Sequence, residues 1–217
     1  IPTKGISNLQ SRDVDYAKKL GYGVKLLAIA EQMDTNCSSN SSLPIAISVQ
    51  PTLVPLDHPL AGVNGVNNAI LIEGEPIGQV MFYGPGAGAG PTASAVVADI
   101  LNIAGIHQID TSNGHLDPLL AANSWRKCHL VDPQEICHRN YVRFNAEDTP
   151  GVIGRIGTYF GNHGVSIQSI VQFDSSNSYA EIVVITHEVR QGQMDEALTS
   201  ITALPEIKKL SAHMCCL

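Results

Sequence analysis

Apolar residues in the first third of the chain occur in short runs and alternations that predict β-strands. Val24–Ala30 is a nearly continuous apolar run, and Pro44–Gln50 alternates between apolar and polar residues. Short segments of this kind are typical of strands, so we predict that these two pair as a long hairpin. Asn68–Glu73 and Ile77–Tyr83 predict a second hairpin, because the Gly74–Pro76 segment between them has turn chemistry.

Helix-boundary residues mark two helices in the same part of the chain. Ser11–Leu20 predicts a short helix, which Ser11 or Asp13 caps and Gly21 ends. The residues from about Thr92 to Ala104 predict a longer helix, because a proline and hydroxyl side chains stand at its start. Apolar residues at helical spacing predict a close-packing face on this second helix.

The segment from Arg139 onward alternates between strand and helix patterns in the order βαββαβ. That order is the ferredoxin-like split βαβ motif, in which two helices cover one face of the sheet. The other face, or an edge of the sheet, is left for a partner chain. The predicted elements are Tyr141–Phe144, Ile153–Phe160, Val165–Phe173, Ala180–Thr186, Gln191–Leu204 and Glu206–Ala212.

These patterns divide the chain into two predicted domains and place it in the α/β (α+β) class. Residues 1–105 predict a unit with a mixed sheet, and residues 139–217 predict the ferredoxin-like unit. Residues 106–138 are polar, contain prolines and lack a sustained period, so they predict a connector with short helices at most. A chain of 217 residues suits two ordinary domains.

Composition and charge narrow the classes of partner. The chain is 44% hydrophobic, enough for a real core, and its net charge is −7. It has no Lys/Arg cluster and no apolar run as long as a membrane span, so we expect neither nucleic acid nor a membrane as a partner. Five cysteines without a CxxC pair are typical of reduced thiols, which predicts a cytoplasmic protein. The chain opens at Ile1 without an initiator Met, so we expect it to be processed or a piece of a longer protein.

Two groups of residues resemble chemical sites but have simpler explanations. The pairs Cys128-His129 and Cys137-His138, with the His and Cys residues near the C-terminus, fit no standard zinc-ligand spacing, so no metal site is predicted. Asp57 and His58 resemble an acid–base pair. Because Asp57 precedes His-Pro, we interpret it instead as the cap of a short helix.

A glycine-rich stretch links the second hairpin to the longer helix. Gly84, Gly86, Gly88 and Gly90 alternate with other residues between an apolar run and a helix start. A strand, a bare loop and a helix N-terminus offer N–H groups to an anion or a polar ring. No Gly-Lys-Ser/Thr follows, so the stretch is not a P-loop, and it matches the dinucleotide fingerprint only loosely. The alternative is a tight turn that packs closely on another domain.

The second domain resembles the ACT family, the amino-acid-sensing modules of biosynthetic enzymes. The resemblance rests on Asp148-Thr-Pro-Gly-Val-Ile153, on Tyr159-Phe160 and on Gly164-Val-Ser-Ile167, within residues 139–217. It implies that the loop after the first strand meets a strand of a neighbouring subunit, and that an effector amino acid sits between them. It therefore implies a homodimer formed through this domain.

The ACT resemblance also implies a set of effector-binding residues. The Asp148 carboxylate can hold an ammonium group, and the N–H groups after Gly151 begin a helix and can hold a carboxylate. The alternative is that Asp148 only caps the helix and that Gly151 only permits a tight turn. The implied effector-binding residues are Asp148, Gly151, Val152, Ile153, Gln168 and Ser169.

Residues 1–105 resemble the later part of the catalytic domain of the homoserine dehydrogenases. The matching runs, in order, are Asp15–Ala30, Pro51–Pro55, His58–Ile70 and Tyr83–Asp99. The resemblance implies that the first domain is a mixed-sheet remnant of that catalytic domain. It implies a parent enzyme that interconverts L-homoserine and L-aspartate 4-semialdehyde with NAD(P), a step toward threonine and methionine.

The same resemblance implies how the glycine loop is used and what this chain lacks. Gly86, Ala87 and Gly88 come near the cofactor in the family's arrangement. The family's nucleotide-binding half and catalytic lysine precede the matched segment, and Lys25 is not in that lysine's context. We therefore expect no catalytic residue here, no cofactor bound by this chain alone, and no activity without the N-terminal half as a partner. Threonine is the family's usual effector. The alternative function is a stand-alone amino-acid-binding ACT module without catalysis.

Overall fold

The computed structural model describes residues 1–7, 9–33, 42–113, 127–173 and 179–217, with the backbone alone over 109–113. Residues 114–126 of the predicted connector lie outside the described residues. Single-turn 3₁₀ helices occur at Pro59–Gly62 and Pro133–Glu135. The α-helices are α1 (Ser11–Lys19), α2 (Ala89–Asn113), α3 (Val152–Asn162) and α4 (Gln191–Thr202). The strands are β1 (Tyr22–Gln32), β2 (Leu43–Pro55), β3 (Asn67–Gly74), β4 (Gly78–Pro85), β5 (Cys128–Leu130), β6 (Cys137–Glu147), β7 (Ile167–Phe173), β8 (Tyr179–Thr186), β9 (Val189–Arg190) and β10 (Ile207–Cys216).

Most of the described strands form one mixed sheet. Its order is β1-β2-β10-β6-β8-β7, with β5 beside β2 and β9 beside β6. β1 and β2 pair antiparallel along the whole of β1, which confirms the first predicted hairpin. β10, β6, β8 and β7 have the ferredoxin-like order, which confirms the predicted fold class. β10 also pairs in parallel with β2 over Cys215–Cys216, so the sheet joins strands from both predicted domains.

In space the chain divides into two compact units, and each combines residues differently from the predicted segments. The first unit contains residues 1–57 and 128–217, and the second contains residues 58–127. The predicted division follows the order of residues along the chain. The first unit instead joins residues 1–57 to residues 128–217, because β2 pairs with β10. These two strands lie more than a hundred residues apart in the sequence.

Two apolar clusters lie on the two faces of the sheet in the first unit. Val142 and Phe144 of β6 pack on the α3–α4 side, in a cluster that also contains Ile156, Phe160 and Met194. Tyr141 points to the other face, because successive side chains of a strand alternate. There it packs with Tyr16 of α1. The face that we expected to remain for a partner chain is therefore partly covered by α1, which contributes its own apolar stripe.

A buried charge cluster joins α1 to the sheet. Arg143 of β6 is 1% exposed, and it lies between Asp13 of α1 and Glu181 of β8, which are 0% and 4% exposed. The Arg143 Nε donates to Asp13 Oδ1 at 2.7 Å, and the Nη1 donates to Glu181 Oε2 at 2.5 Å. Burial lowers the pKa of Arg143, but hydrogen bonds to the two carboxylates raise it above its usual value. The guanidinium therefore stays charged, and the carboxylates of Asp13 and Glu181 compensate its positive charge.

Two helix caps differ from the predicted ones by a single position. The N-cap of α1 is Gln10 rather than Ser11, whereas Asp13, the other predicted cap, takes part in a capping box because its Oδ2 accepts the Gln10 backbone N–H at 3.0 Å. The 3₁₀ turn after β2 is capped by His58 rather than Asp57, because the His58 Nδ1 accepts a backbone N–H at 3.3 Å. A shift of one residue changes which side chain reaches the unpaired N–H groups, and sequence patterns do not resolve such shifts.

The described part of the second unit consists of β3, β4, α2 and the preceding turn. β3 and β4 pair antiparallel, which confirms the second predicted hairpin. α2 begins at Ala89 and continues to Asn113, so it starts earlier than predicted and extends into the predicted connector. Val96, Ile100 and Leu101 of α2 are 52%, 59% and 66% exposed. The predicted close-packing face of this helix has no packing partner within the described part of the unit.

Within the described residues, the Ala89–Gln108 part of α2 is long and apolar enough to cross a membrane, by length and composition alone. We expected no such segment, because its apolar residues are interspersed with Gly, Ala, Thr and Ser rather than forming a continuous run. A helix that packs inside a protein passes the same test. The finding therefore does not assign the chain to a membrane.

Buried polar side chains lie where β2, β10 and β6 adjoin. Gln50 and Thr52 of β2 and Asn140 of β6 are less than a tenth exposed. The Asn140 Oδ1 lies 2.9 Å from the His213 Nε2 of β10. Burial, followed by the nearby Lys4 ammonium and His138, lowers the pKa of His213 to about 3. His213 is therefore neutral near pH 7.

Removing the buried cation should cost much more than removing an exposed one. Arg143→Met leaves the Asp13 and Glu181 carboxylates buried without their partner, so we expect a loss of roughly 3–5 kcal/mol in the free energy of unfolding. The control Lys208→Met removes an exposed pair, in which Lys208 Nζ lies 2.7 Å from Glu147 Oε1. It should cost much less, because solvent screens an exposed ion pair. Urea unfolding measures both, and equally small losses would contradict the structural role of the cluster.

The neutral His213 should make the fold acid-sensitive. An unfolded histidine has a pKa of about 6.5, so it takes up a proton below that pH. Folded His213 has a pKa of about 3 and stays neutral until the pH approaches that value. The contribution of neutral His213 to the free energy of unfolding is therefore present above about pH 6.5 and is lost as the pH drops toward 3. His213→Gln should flatten this part of the curve of unfolding free energy against pH. The exposed His187→Gln should not, and identical curves for both variants and the parent chain would refute the assignment.

Candidate effector site

The turn from β6 into α3 is shaped by one glycine. β6 ends at Glu147 and α3 begins at Val152. Gly151, the N-cap of α3, has a φ of +92°, a conformation that favours glycine. No side chain caps this helix, and the N–H groups of Ile153 and Gly154 have no acceptor among the described residues. These N–H groups and the helix dipole suit a carboxylate.

A cavity of about 430 Å³ opens beside this turn. Its lining consists of residues 147–154, with Gln172 of β7 and Ile182 of β8. The Gln172 Nε2 donates to Asp148 Oδ1 at 2.9 Å, which orients the carboxylate and links the loop to the end of β7. The cavity is thus built from the turn between β6 and α3 and from strands β7 and β8, all in the first unit.

The two acidic residues at the cavity differ in their partners. Glu147 pairs with Lys208, whose Nζ lies 2.7 Å from Glu147 Oε1. Asp148 is exposed and pairs with no cation in the described part of the chain, and it accepts a hydrogen bond from the neutral amide of Gln172. An uncompensated carboxylate therefore faces the same cavity as the unpaired N–H groups of α3. A small molecule that carries both an ammonium and a carboxylate group complements this arrangement.

Four of the predicted effector residues lie together. Asp148, Gly151, Val152 and Ile153 all line the cavity. The interpretation of Asp148 as a helix cap is wrong, because its carboxylate bonds Gln172 and not the N–H groups of α3. The interpretation of Gly151 as a tight turn is compatible with its φ, and this does not conflict with a binding role.

The other two predicted effector residues lie elsewhere in this chain. Gln168 and Ser169 are at the start of β7, whereas Gln172 near its end lines the cavity. Gln168 accepts a hydrogen bond from Arg139, at the beginning of β6. A single chain does not bring Gln168 and Ser169 to its own cavity, so their assignment stays a prediction about a neighbouring subunit. Sequence analysis missed Gln172, whose position follows from β6 and β7 both pairing antiparallel with β8.

The glycine loop of the second unit has the close packing that its sequence implies. Gly88 has a φ of +125°, and a Cβ at Gly86 would collide with the Asn68 side chain. The Gly86 N–H donates to the Val66 carbonyl at 2.9 Å. However, β4 belongs to a two-stranded antiparallel sheet and not to a βαβ unit, and no Lys or Arg lies between 78 and 105. The loop at Gly86, Ala87 and Gly88 thus presents mainly backbone groups, and the assignment of these residues to a cofactor stays a prediction.

The described residues hold no group of three His, Cys, Asp or Glu side chains placed to bind a metal ion. Cys128 and Cys137 are exposed, while Cys215 and Cys216 are buried in β10. Burial raises the pKa of Cys216 to about 12 and also raises that of Cys215. These two thiols therefore stay protonated and behave as apolar core groups.

Two family models match successive segments of the chain. The homoserine dehydrogenase model matches residues 1–101. The ACT domain model matches residues 140–206, which contain the cavity and its loop.

Curated relatives and solved structures extend these matches to nearly the whole chain. The homoserine dehydrogenase of Synechocystis sp. is 48% identical over 210 residues, which are 97% of this chain and 48% of that protein. The one from Neisseria gonorrhoeae is 38% identical, over 95% of this chain and 46% of that protein. The crystal structure of a homoserine dehydrogenase from Thiobacillus denitrificans matches with a TM-score of 0.85 and 30% identity, over 99% of this chain and 47% of that chain.

The chain spans about half the length of these relatives. The two segments matched by the family models follow one another along this chain. The first segment of the chain therefore matches the homoserine dehydrogenase family, and the second matches the ACT domain.

Proposed function

We propose that this chain is the C-terminal portion of an NAD(P)-dependent homoserine dehydrogenase and that it carries the enzyme's oligomerisation and feedback regulation. The parent enzyme would interconvert L-homoserine and L-aspartate 4-semialdehyde, in the cytoplasm, on the route to threonine and methionine. The observation that carries the regulatory part is the cavity beside α3. Within the described residues of the ACT segment, it combines a carboxylate that lacks a cationic partner with helix N–H groups that lack an acceptor.

The effector would be an amino acid, and threonine is the first candidate. Its ammonium group would meet Asp148, and its carboxylate would meet the N–H groups of Ile153 and Gly154. Val152, Ile153 and Ile182 supply apolar surface for a short side chain, while Thr149 and Gln172 add polar groups. The mixture of apolar and polar lining suits a side chain such as that of threonine, which has one methyl and one hydroxyl group.

A homodimer through the ACT domain would complete this site. β7 is the outermost strand of the sheet on the ACT side, so its outer edge is available to a second copy of the chain. In such a dimer Gln168 and Ser169 of one copy would face the Asp148 loop of the other. The partner would thereby supply the effector-binding residues that a single chain keeps away from its own cavity.

Catalysis would need the nucleotide-binding half as a further partner. That half would hold the NAD(P) and supply the hydride-transfer chemistry, with Gly86, Ala87 and Gly88 approaching the cofactor through their backbone. Among the described hydrophobic side chains between 58 and 108, none is buried. Such a surface is what a layer of another polypeptide would cover.

The second candidate function is a stand-alone amino-acid-binding module without catalysis. The first unit favours this alternative, because it has its own core and contains the whole effector cavity. The two functions differ in whether the chain must combine with another polypeptide to act.

Calorimetric titration with threonine tests the effector assignment. The chain should bind threonine saturably, and Asp148→Asn should weaken binding by roughly 10- to 100-fold, because a charge-assisted hydrogen bond contributes about 1.5–3 kcal/mol. Asp15→Asn removes a carboxylate from the exposed face of α1 and should leave the affinity unchanged. Equal affinities for the two variants, or no binding of any amino acid by the parent chain, would reject the assignment.

An assay with NADP⁺ and homoserine tests whether this chain needs the nucleotide-binding half for catalysis. The isolated chain should give no increase in reduced-nicotinamide absorbance, because its glycine loop offers the cofactor only backbone groups. The homoserine dehydrogenase of Synechocystis sp. provides the positive control. Turnover that scales with chain concentration through successive purification steps would contradict the proposed need for a nucleotide-binding half.

A further inference from the structure

A second cavity, of about 350 Å³, lies at the gap between β2 and β10. Five consecutive residues of β10, Leu210–Met214, line one side, and Lys4, Gly5, Leu9 and Pro51 line the other. Side chains of a strand alternate between the two faces of a sheet. Since consecutive residues all reach this cavity, it lies along the edge of β10, in the plane of the sheet.

The gap exists because the second edge of β2 is shared among three segments. β5 pairs with Leu43–Ile45, a bridge joins Thr3 to Val49, and β10 joins only at Thr52–Leu53. β10 pairs along its other edge with β6. Over Leu210–Met214, the edge of β10 that faces the cavity therefore has no strand partner in the described part of the chain, and some of its backbone groups point into the gap.

The charged group at this cavity is a cation. Lys4 is its only charged side chain, and no carboxylate is among the described residues that line it. The Lys4 ammonium is close enough to lower the pKa values of His138 and His213 and that of the Cys215 thiol. No described salt bridge includes Lys4. The cavity thus has an uncompensated positive charge at a wall that is otherwise neutral.

Most of the remaining side chains that line the cavity are apolar. Leu9, Pro51, Leu210, Ala212 and Met214 contribute hydrocarbon or thioether surface, and Ser211 and His213 contribute uncharged polar groups. A ligand that fits would place an anion near Lys4 and a short apolar group against these side chains. An ammonium group would find no counter-charge, which separates this cavity from the effector cavity with its Asp148.

We propose that the cavity between β2 and β10 binds a small monocarboxylate with a short branched or linear apolar tail. The carboxylate accepts from Lys4 Nζ and from strand-edge N–H groups, and the tail packs against Leu9 and Met214. The site is independent of the proposed effector site, because the two cavities share no lining residue.

Methyl NMR of methionine provides a direct test with 3-methylbutanoate as the probe. The chain has four methionines. Met214 lines the cavity, whereas Met194 lies in the α3–α4 core. With ¹³C-methyl methionine, the signal that is absent in Met214→Leu should shift saturably as the probe is added. The Met194 signal should stay in place, and the uncharged 3-methylbutanamide should bind at least about 10-fold more weakly, since it lacks the charge-assisted bond.

Variants separate this site from its alternatives. Lys4→Gln should weaken the binding of 3-methylbutanoate at least about 10-fold. Lys18→Gln, at an exposed position on α1, should not change the affinity. Asp148→Asn and saturating threonine should also leave it unchanged. The proposal fails if Met214 does not respond, if the amide binds as well as the carboxylate, or if inorganic phosphate binds as tightly. It also fails if Asp148→Asn abolishes the shift.

Discussion

The structure of the first unit depends on one buried cation, the guanidinium of Arg143. Its partners come from two different elements: Asp13 belongs to α1 and Glu181 to β8. Gln10 adds a further bond, and Tyr141 donates to Asp13 at 3.3 Å. A charge inside an apolar layer is tolerated only when its partners are held in position. The cluster therefore specifies where α1 sits on the sheet, which the apolar contacts of a short helix would specify less strictly.

The position of α1 has a consequence for the effector cavity. Tyr16 of α1 stacks on Phe173 of β7, with the ring centroids 4.1 Å apart. The residue before Phe173 is Gln172, whose amide holds Asp148. One end of β7 therefore contacts both the loop that we assign to the effector and a helix of the homoserine dehydrogenase segment. A displacement of this strand end would change both contacts directly, so the two segments could be coupled without a conformational change in residues 106–138.

Local signals predicted much of the fold and part of the candidate site. Both hairpins and the βαββαβ order followed from apolar alternation and turn residues, and the Asp148–Ile153 loop followed from a motif of consecutive residues. Long-range pairing was not predictable in this way. The Arg143 cluster joins residues 130 positions apart, and nothing in the Ser11–Leu20 pattern indicates that Asp13 faces a buried arginine. Gln172 was missed for the same reason, because it reaches Asp148 through the sheet.

The two units differ in how completely they bury their own apolar residues, and this difference bears on function. All the buried hydrophobic side chains in the described residues belong to the first unit. α2 and the β3–β4 hairpin of the second unit expose Ile70, Phe82 and Ile100 by 65%, 61% and 59%. A two-stranded sheet and one helix bury too little surface to offset the entropy of ordering them. The described part of the second unit therefore leaves apolar surface that suits another layer of protein, whereas the first unit buries a core of its own. An effector site on the first unit would keep its shape whether or not such a layer is present.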